Sequence, residues 1–391
     1  MVSTVYPAPP HITGAHRRLC PILQSLSRHH EVSLALLLQA DPVTLEEARK
    51  DFPFLTDLVS VHHHSPTRPL VRYFRIFWQY NSLEFRKSLR DLCSRNDFDL
   101  VYVFGSQLAQ YGSLFSEVPS IIDSVDSHSL YMERKINTVK RLRKRLSLWQ
   151  DRRFSKAFEK KYFPDFDACL TVAPKDSEWI LKHCPDLPTW TVPTSVDTDF
   201  FRVRRDSTPT CTVVFSGKMD YSDNVLAAVF LAREVFPKIR AKIPEAELVL
   251  AGANPTPEIL SLKQLPGVTV TGFVDDIREV YLRADIAVFP LLSGCGIKCK
   301  ALEAMAMETP VVMTPLAAEG LVNLTPREAV IAEGSDRIAE SAVALLRDYE
   351  RARVMGRAAR QYIVENFEEK KVCERLLRII EETARKRGEK V

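Results

Sequence analysis

A short segment between a predicted strand and a predicted helix has the residue types that would bind a phosphate. It contains Gly294 and Gly296, then Lys298 and Lys300, and Glu303 follows the first lysine by five residues. Glycine lets the backbone approach a ligand closely, and the free N–H groups at a helix start favour an anion. Two lysines in a first helical turn are unfavourable for the helix alone, but they fit a site that holds phosphate. An ordinary loop–helix junction with surface lysines is the alternative that the pattern leaves open.

Metal-ligand patterns in this chain are weak. His62, His63 and His64 are consecutive, and consecutive residues on a strand face opposite ways, so the three cannot all ligate one ion. Cys295 and Cys299 would share a helical face, yet two thiolates alone make a poor metal site. We therefore interpret the histidines as a surface strand end, and we expect no metal and no organic cofactor.

Short apolar runs alternate with longer amphipathic stretches along the chain. Such runs are typical of buried parallel strands joined by helices, so the sequence predicts doubly wound α/β domains. Helices are predicted between most of the strands, for example at 224–239, and two more close the chain at about 336–348 and 349–386. Strands are predicted at residues 2–6, 31–37, 58–62, 100–104, 120–123, 168–172, 189–192, 212–216, 246–251, 268–271, 286–290, 310–314 and 329–332.

Two series of strands and helices meet near residues 193–210, where prolines and charges interrupt the pattern. We predict one domain at 1–195, a second at 196–365, and a C-terminal helix at 366–391 that crosses back to the first. A length of 391 residues fits two domains at about 150 residues each. Two Rossmann-like domains facing a cleft would place ligands at the carboxyl ends of both sheets.

The composition is that of an ordinary globular protein, with 46% hydrophobic and 27% charged residues, and with 13 glycines against 24 prolines. These values exclude collagen-like and low-complexity chains. Eight scattered cysteines without a Cys-x-x-Cys pair fit a reducing cytoplasm and argue against a zinc ribbon. The N-terminus lacks the features of a signal peptide, and no window approaches about 18 uninterrupted apolar residues. We expect a cytoplasmic protein, soluble or peripheral at the inner face of the cell membrane.

Positive charge is concentrated at residues 134–161, which carry twelve Lys and Arg against two acidic residues, a net +10. The remainder therefore carries −6 of the total of +4. Apolar residues are interleaved, so the segment is predicted to form a basic amphipathic helix or helix pair. Residues 68–90 form a second basic and aromatic stretch. A solvated helix face, an anionic membrane surface and nucleic acid are the candidate explanations. No recognisable nucleic-acid-binding pattern supports the last, so we expect no nucleic-acid partner.

The segment at 294–312 reads Gly-Cys-Gly-Ile-Lys-Cys-Lys-Ala-Leu-Glu-Ala-Met-Ala-Met-Glu-Thr-Pro-Val-Val. It resembles the donor-binding motif of the family 4 (group 1) retaining glycosyltransferases, and within them the sugar transferases of exopolysaccharide systems. The resemblance covers nearly the whole chain and implies two Rossmann-like domains of the GT-B type. Five other segments fall in the order that this family shows: an N-terminal loop at 7–18, an Asp-x-Val-Asp turn at 123–126, a Val-Pro linker at 192–201, a donor-domain loop at 214–224 and a Gly-x-Val-x-Asp loop at 272–276.

The resemblance implies a role for each matching residue. Glu303 would hold the ribose hydroxyls, since a carboxylate accepts two hydrogen bonds from a diol. Lys218 and Lys298 would neutralise the diphosphate, and with Asp126 they are the expected catalytic residues. Gly14 and Asp126 also have structural alternatives, a helix-opening turn and a helix N-cap respectively. The acceptor-binding residues are expected to be Gly14, Arg17, Asp126 and Ser129. The donor-binding residues are expected to be Gly217, Lys218, Asn224, Phe273, Val274, Gly294, Cys295, Gly296, Ile297, Lys298 and Glu303.

Four positions depart from the family pattern. Cys295 stands where many relatives have a Glu that touches the donor sugar, and Asn224 stands where a second phosphate-binding cation is common. Ser195 and Glu308 stand where relatives usually have Gly. Lys298 would supply the missing cation from the other loop, whereas the sugar contact at Cys295 has no obvious replacement.

The predicted function is a retaining, metal-independent, hexosyltransferase-like glycosyltransferase. It would move a sugar from a nucleoside-diphosphate sugar of the UDP or GDP type to a saccharide or lipid-linked acceptor, in exopolysaccharide or cell-surface glycan synthesis. Residues 134–161 would face an anionic membrane surface. The resemblance implies front-face attack with the donor phosphate as base. The alternatives are a catalytically weak homologue acting as a binding or regulatory partner, which Cys295 and Asn224 motivate, and a sugar epimerase of the same fold.

Overall fold

The computed structural model of the protein describes residues 1–7, 14–63, 80–202 and 210–388. The chain divides into two compact units, one made of Met1–Ser195 with Lys370–Val391 and the other of Val196–Glu369. Several predicted features lie wholly or partly outside the described residues: the N-terminal loop at 7–18, the third histidine of the triplet, the basic stretch at 68–90 and the seam at 193–210.

The first unit is built on a seven-stranded parallel sheet in the order β3-β2-β1-β4-β5-β6-β7. Every residue of β2 is buried, as expected of a strand covered on both faces. Leu34 and Leu36 join one hydrophobic cluster, whereas Ala35 and Leu37 join a second. The strands are β1 (Val2–Ser3), β2 (Val32–Leu38), β3 (Leu55–His62), β4 (Val101–Phe104), β5 (Ser120–Val125), β6 (Ala168–Thr171) and β7 (Thr189–Thr191).

Helices connect these strands and cover the sheet. The described α-helices of the first unit are Gly14–Ser27, Leu45–Asp51, Leu83–Arg95, His128–Thr138, Leu142–Tyr162, Pro174–Leu181 and Glu369–Gly388. Short 3-10 segments lie at Ser106–Phe115 and Phe163–Asp165. Glu369–Gly388 belongs to this unit because Val372, Leu376 and Ile379 are buried in the cluster that also contains Leu34.

The second unit has a six-stranded parallel sheet in the order β10-β9-β8-β11-β12-β13. Its strands are β8 (Thr212–Ser216), β9 (Glu247–Ala251), β10 (Val268–Gly272), β11 (Ile286–Phe289), β12 (Val311–Met313) and β13 (Val330–Ile331). Its described helices are Ser222–Phe230, Leu231–Val235 (π), Phe236–Arg240, Pro257–Ser261, Leu262–Gln264 (3-10), Ile277–Arg283, Cys299–Ala306, Pro315–Ala318, Ser335–Arg347 and Tyr349–Asn366.

The predicted fold class, two doubly wound α/β units followed by C-terminal helices, is confirmed. All thirteen predicted strands are present, and their ends differ from prediction by no more than three residues. The basic segment forms a helix pair, His128–Thr138 and Leu142–Tyr162, as one of the two predicted forms.

Two of the predicted helices are interrupted, one by a π-helical segment and the other by a break. The helix predicted at 224–239 contains the π-helical segment Leu231–Val235. Pro237 follows it and cannot donate an amide hydrogen bond, which gives a local reason for the irregular register. The helix predicted at 349–386 ends at Asn366 and restarts at Glu369. The break occurs where the Phe367 carbonyl accepts from Val196 N at 2.8 Å.

Candidate functional site

The loops at the centre of the second sheet form the candidate site. The strand order reverses between β8 and β11, and open parallel sheets bind ligands beside the carboxyl ends of strands at such a switch point. The loop after β8 begins at Gly217, and the loop after β11 runs from Pro290 to Lys298. Because β8 and β11 pair directly, the sheet places these two distant parts of the sequence side by side.

The backbone of the first loop packs against a third strand end. A Cβ atom on Gly252 would lie 1.8 Å from the carbonyl oxygen of Gly217, so the close approach requires glycine. Gly217 N also donates to the Ala251 carbonyl at 2.9 Å. In the second loop, Gly294 and Gly296 have φ values of +127° and +64°, which side-chain-bearing residues rarely adopt. Both predicted glycine loops therefore have a backbone that favours glycine.

The two lysines expected to neutralise a diphosphate have different settings. Lys218 is exposed, and its Nζ pairs with Asp220 Oδ2 at 3.4 Å. Lys298 is partly buried and turns back over its own loop. Its Nζ donates to the carbonyl oxygens of Cys295 and Gly296, the latter at 3.0 Å. Lys298 thus lies beside the glycine loop, whereas Lys218 projects towards solvent.

A third lysine, Lys300, lies between the two loops; it was named in the predicted phosphate-binding segment but not among the expected donor-binding residues. Lys300 Nζ donates to Asn224 Oδ1 at 2.5 Å and lies 4.5 Å from the centre of the Phe215 ring. Asn224 is buried and donates from Nδ2 to the Lys218 carbonyl at 2.9 Å. The position expected to lack a cation therefore has one, supplied from the other loop. The sequence signal was the three-residue spacing of Lys300 and Glu303, which puts both on one helix face.

An acidic residue that the sequence analysis also missed joins the same loops. Ser293 Oγ donates to Asp223 Oδ1, and the two residues are only 2% and 3% exposed. Asp223 Oδ2 is also buried, and within the described chain it has no hydrogen-bond partner. No local pattern in the sequence indicates this pair, because the partners are 70 residues apart.

The remaining predicted donor residues lie in or just before the helix Cys299–Ala306, or directly after β10. Glu303 lies in the helix Cys299–Ala306 and is 3% exposed. Cys295 is buried as well, and Ile297 is partly buried. Phe273 and Val274 come directly after β10, at the same edge of the sheet, and Phe273 is 70% exposed. An exposed aromatic ring at this edge is available for stacking, while Glu303 is a carboxylate removed from bulk water.

Glu308, which stands where relatives usually have Gly, has a φ of +53°. It follows the C-terminal end of the helix Cys299–Ala306, where a left-handed residue commonly ends a helix. The usual glycine is therefore explained by backbone conformation. Ser195 has no positive φ, so the linker makes no such demand.

In the first unit, three predicted acceptor residues lie at or near strand and helix ends. Gly14 is exposed and begins the helix Gly14–Ser27, and Arg17 is in its first turn. Asp126 follows β5 and is partly exposed. The alternative that Asp126 caps the next helix is wrong, because Ser127 is the N-cap and accepts from Leu130 N. The residue before Asp126 is strained, since Val125 is β-branched and has a φ of +66°.

Ser129 is corrected by the structure. It is fully buried and donates from Oγ to Glu159 Oε2 at 2.5 Å, while Trp179 Nε1 donates to it at 2.8 Å. Glu159 is also fully buried and lies 3.0 Å from His183 Nε2. Ser129 therefore joins helices in the interior of the first unit, and its burial does not support contact with an acceptor.

A buried ion pair joins the helix Gly14–Ser27 to β5. Arg18 Nε donates to Asp123 Oδ2 at 2.7 Å, with side chains 2% and 0% exposed. The Tyr102 hydroxyl donates a hydrogen bond to the same oxygen. Burial, followed by the negative charge of Asp123, raises the pKa of Tyr102. Arg18 Nη1 also donates to the carbonyls of Val192 and Pro193, at 2.8 and 3.2 Å. One arginine thus ties β5 to the chain segment that leaves the first unit.

The histidine cluster differs from prediction. His63 is 7% exposed and stacks on Tyr80 with ring centres 5.6 Å apart, so a surface strand end is wrong for this residue. His62 Nδ1 contacts the Ala40 carbonyl at 2.8 Å. Within residues 1–7, 14–63, 80–202 and 210–388, no group of three His, Cys, Asp or Glu side chains is arranged to hold a metal ion. In that same part of the chain, no helix combines the length and apolarity needed to cross a membrane.

Comparison with known proteins gives a family match and a fold match. Residues 210–348 match the family described as "Glycosyl transferases group 1". An uncharacterized 44.6 kDa protein in the cps region of Klebsiella pneumoniae is 22% identical over 283 residues, which cover 70% of this chain. That alignment spans 66% of the relative, just under two thirds of its length.

Solved structures resemble the whole chain at low identity. Sucrose-phosphate synthase from Thermosynechococcus elongatus has a TM-score of 0.68 and 15% identity, covering 93% of this chain and 92% of that one. Anabaena Alr3699/HepE in complex with UDP and glucose has a TM-score of 0.66 and 11% identity, covering 97% and 98%. A glycosyltransferase from Rickettsia africae has a TM-score of 0.64 and 13% identity, covering 95% of both chains. These similarities confirm the predicted GT-B fold type.

Proposed function

We propose that this protein transfers a sugar from a nucleoside-diphosphate sugar with retention of configuration, since residues 210–348 match the group 1 glycosyl transferases that the resemblance implied. The observation that carries the proposal is the pair of loops at the β8–β11 switch point. They combine Gly294, Gly296, Lys298 and a buried Glu303 beside a helix N-terminus. This combination of backbone amides, cations and a buried carboxylate suits a nucleotide diphosphate.

The donor would lie across the carboxyl ends of the second sheet. Its phosphates would meet Gly217, Lys218 and Lys298 with the backbone of the glycine loop, and its ribose would meet Glu303. A ribose diol offers two hydroxyl donors, and a carboxylate can accept a hydrogen bond from each. Phe273 and Val274 would lie on the base side. Cys295 would face the donor sugar without the charge that relatives place there.

The chemistry would rest on stabilising the leaving group. Breaking the bond between sugar and diphosphate leaves negative charge on the phosphate, and preorganised cations and N–H groups lower the energy of that state. We propose front-face attack by the acceptor hydroxyl, whose proton passes to a phosphate oxygen of the departing nucleotide. The reaction would use no protein nucleophile and no metal. Arg17 and Asp126 of the first unit, with the exposed Gly14, would contact the acceptor.

A UDP or GDP sugar is the proposed donor, and a saccharide or lipid-linked acceptor is the proposed partner. UDP is supported by the Anabaena structure, which contains UDP and glucose. The Klebsiella relative in a cps region supports a role in exopolysaccharide or cell-surface glycan synthesis. Both relatives are distant, so they direct the choice of substrates to test.

Thermal unfolding in the presence of nucleotides tests the donor site first. UDP, GDP and ADP are compared, and the binding nucleotide should raise the melting temperature by stabilising the folded state, by about 2.7 kcal/mol at 100 times its Kd. The sugars of that nucleotide are then assayed for transfer or hydrolysis, and NMR of the product anomer tests retention. Lys298→Ala should lower the rate by about 10- to 100-fold, as expected for a lost charged contact. Lys263→Ala changes an exposed lysine that is not among the candidate site residues, and it should leave the rate unchanged.

The same assays separate the alternatives. A protein that binds nucleotide but neither transfers nor hydrolyses any common sugar would be a binding or regulatory partner, as the Cys295 and Asn224 departures suggest. Isotope exchange at the sugar C2 of UDP-N-acetylglucosamine would identify an epimerase. No nucleotide binding, together with an unchanged phenotype of Lys298→Ala in complementation, would reject the enzyme proposal.

A second proposed property is contact with an anionic membrane surface through the helix Leu142–Tyr162. Leu142, Leu146 and Trp149 follow helical spacing on one face and are 69%, 57% and 44% exposed. The Arg153 guanidinium lies 4.8 Å from the Trp149 ring centre. Exposed apolar groups flanked by cations are typical of interfacial helices, and each cation near anionic lipid contributes about 1 kcal/mol. A merely solvated face would not require these three apolar side chains.

Co-sedimentation with vesicles tests this property. Binding to phosphatidylglycerol vesicles should exceed binding to phosphatidylcholine vesicles and should fall as salt rises. Leu146→Asp should weaken it, whereas Leu260→Asp, at a 42% exposed leucine of the second unit, should not. Salt-independent binding, or equal effects of both substitutions, would leave the solvated face as the explanation.

A further inference from the structure

Lys300, the second lysine of the predicted phosphate-binding segment, joins the two loops of the candidate donor site, and the family resemblance gave it no role of its own. We propose that Lys300 is a phosphate-binding residue, held between the loops by Asn224, and that it takes up a proton when the nucleotide diphosphate binds. The inference rests on the proposed donor site and adds to it the residue that replaces the missing cation at position 224.

The position of the ammonium group follows from three contacts. It donates to Asn224 Oδ1 at 2.5 Å and lies 4.5 Å from the Phe215 ring centre. A Cβ atom on Gly217 would lie only 2.8 Å from Lys300 Nζ, so the ammonium is directly against the first glycine loop. A phosphate approaching the Gly217 backbone would therefore meet this lysine, whereas the Lys218 side chain is exposed and paired with Asp220.

The two loops are fastened to each other around this lysine. Asn224 uses both ends of its amide, donating to the Lys218 carbonyl and accepting from Lys300. Beside it, the buried Ser293 donates to Asp223 and links the second loop to the helix Ser222–Phe230. Lys300 is thus positioned before any ligand arrives, which reduces the ordering cost of binding.

The charges around Lys300 leave it short of a counter-ion. Its hydrogen bond is to a neutral amide, and its other close neighbour is an aromatic ring. Burial, followed by repulsion from Lys298, lowers the pKa of Lys300 to about 7, although Asp223 and the Cys299 thiol oppose this. The Tyr281 hydroxyl also contacts the residue, donating to its backbone carbonyl at 3.1 Å. A diphosphate would add negative charge beside Lys300 and favour the protonated form.

Proton uptake is the measurable consequence. At pH 8, a lysine with a pKa of about 7 is mostly neutral, and a bound anion that returns its pKa towards the ordinary value makes it almost fully charged. Binding should then transfer about 0.9 proton from the buffer to Lys300 Nζ. The phosphate of UDP has a pKa of about 6 and is already deprotonated at this pH, so it contributes little.

Calorimetric titration of the full-length protein with UDP and with inorganic pyrophosphate, at pH 8 in buffers of different ionisation enthalpy, tests the proposal. With UDP, the wild type should take up close to one proton, Lys300→Met should bind about 10- to 100-fold more weakly and take up none, and Lys300→Arg should bind without uptake because arginine is always charged. Pyrophosphate still carries a proton at pH 8 and loses part of it on binding cations, so with this ligand the wild type should take up close to one proton more than Lys300→Met. Lys263→Met, the exposed matched control, should behave as the wild type.

The outcomes separate this inference from the proposed function. Pyrophosphate binding in which the wild type takes up about one proton more than Lys300→Met would support it even if neither UDP nor GDP binds, in which case only the proposed function fails. Nucleotide binding without proton uptake by the wild type would overturn the inference and leave the donor site intact. Unchanged affinity and uptake in Lys300→Met would also overturn it, and binding of neither ligand would overturn both proposals.

Discussion

Replacement of Arg18 by methionine tests how far a buried ion pair holds the first unit together. Arg18 and Asp123 are 2.7 Å apart and almost fully buried, so Arg18→Met leaves a carboxylate in the interior without its cation. The carbonyls of Val192 and Pro193 lose a donor as well. Removing one partner of a buried pair costs about 3–5 kcal/mol.

Urea unfolding followed by tryptophan fluorescence measures the loss of stability of the first unit. The chain has four tryptophans, all before residue 196, so their emission reports the first unit: Trp78, Trp149, Trp179 and Trp190. With a slope of about 2–3 kcal/mol per M urea, Arg18→Met should lower the unfolding midpoint by about 1–2 M. The exposed pair of Lys175 and Glu178, 2.9 Å apart in the same unit, is the control. Lys175→Met should change the unfolding free energy by less than about 1 kcal/mol.

A double variant examines the cause. Arg18→Met combined with Asp123→Asn removes the uncompensated charge, and the amide oxygen still accepts from Tyr102. The double variant should be more stable than Arg18→Met alone, because the penalty comes from the unpaired charge rather than from lost volume. A loss below about 1 kcal/mol in the single variant, or additive losses in the double variant, would refute the argument.

Three further predictions concern the second unit. Glu308→Gly should raise the unfolding free energy by up to about 1 kcal/mol in chemical denaturation, because it relieves the left-handed backbone at φ +53°; a decrease would show that the glutamate side chain is needed. Gly252→Ala should abolish UDP binding in calorimetry by displacing the Gly217 carbonyl, which a Cβ would approach to 1.8 Å, and unaltered binding would contradict the predicted clash. The pKa of Lys300 is lowered to about 7 in the folded protein, so the unfolded state binds more protons between about pH 7 and 10.5, and this residue makes stability rise with pH in that window. The melting temperature of the wild type should therefore rise relative to that of Lys300→Met from pH 7 to 9.5. Parallel curves of melting temperature against pH would contradict this.

The strands were predictable because each is a short apolar run. β2, for example, is buried at all seven positions, and its nearly continuous run of apolar residues predicts this. Helix interruptions were not predictable in the same way. The break before Glu369 serves a hydrogen bond from Val196, more than 150 residues earlier, and no local periodicity reports such a partner.

The candidate site shows the same division. The glycine loop at Gly294 was identified from residue type and spacing, and the loop at Gly217 from the family resemblance; both glycines have a positive φ. Ser129 was misassigned because a serine near a motif looks alike whether it faces a ligand or, as here, a buried Glu159. Lys300 was recognised only as part of the phosphate-binding segment and was given no individual role, because the helix pattern did not show that Asn224 lies beside it.

The sequence by itself determined the two α/β units, the order of their strands along the chain, and which loops carry glycine and lysine. It could do so because backbone periodicity and glycine conformation are local properties. Only the tertiary structure decided that the loops after β8 and β11 lie side by side, that Lys300 contacts Asn224 across 76 residues, and that Asp223 pairs with Ser293 across 70. Those contacts follow from sheet order and close packing, which depend on the whole unit folding together.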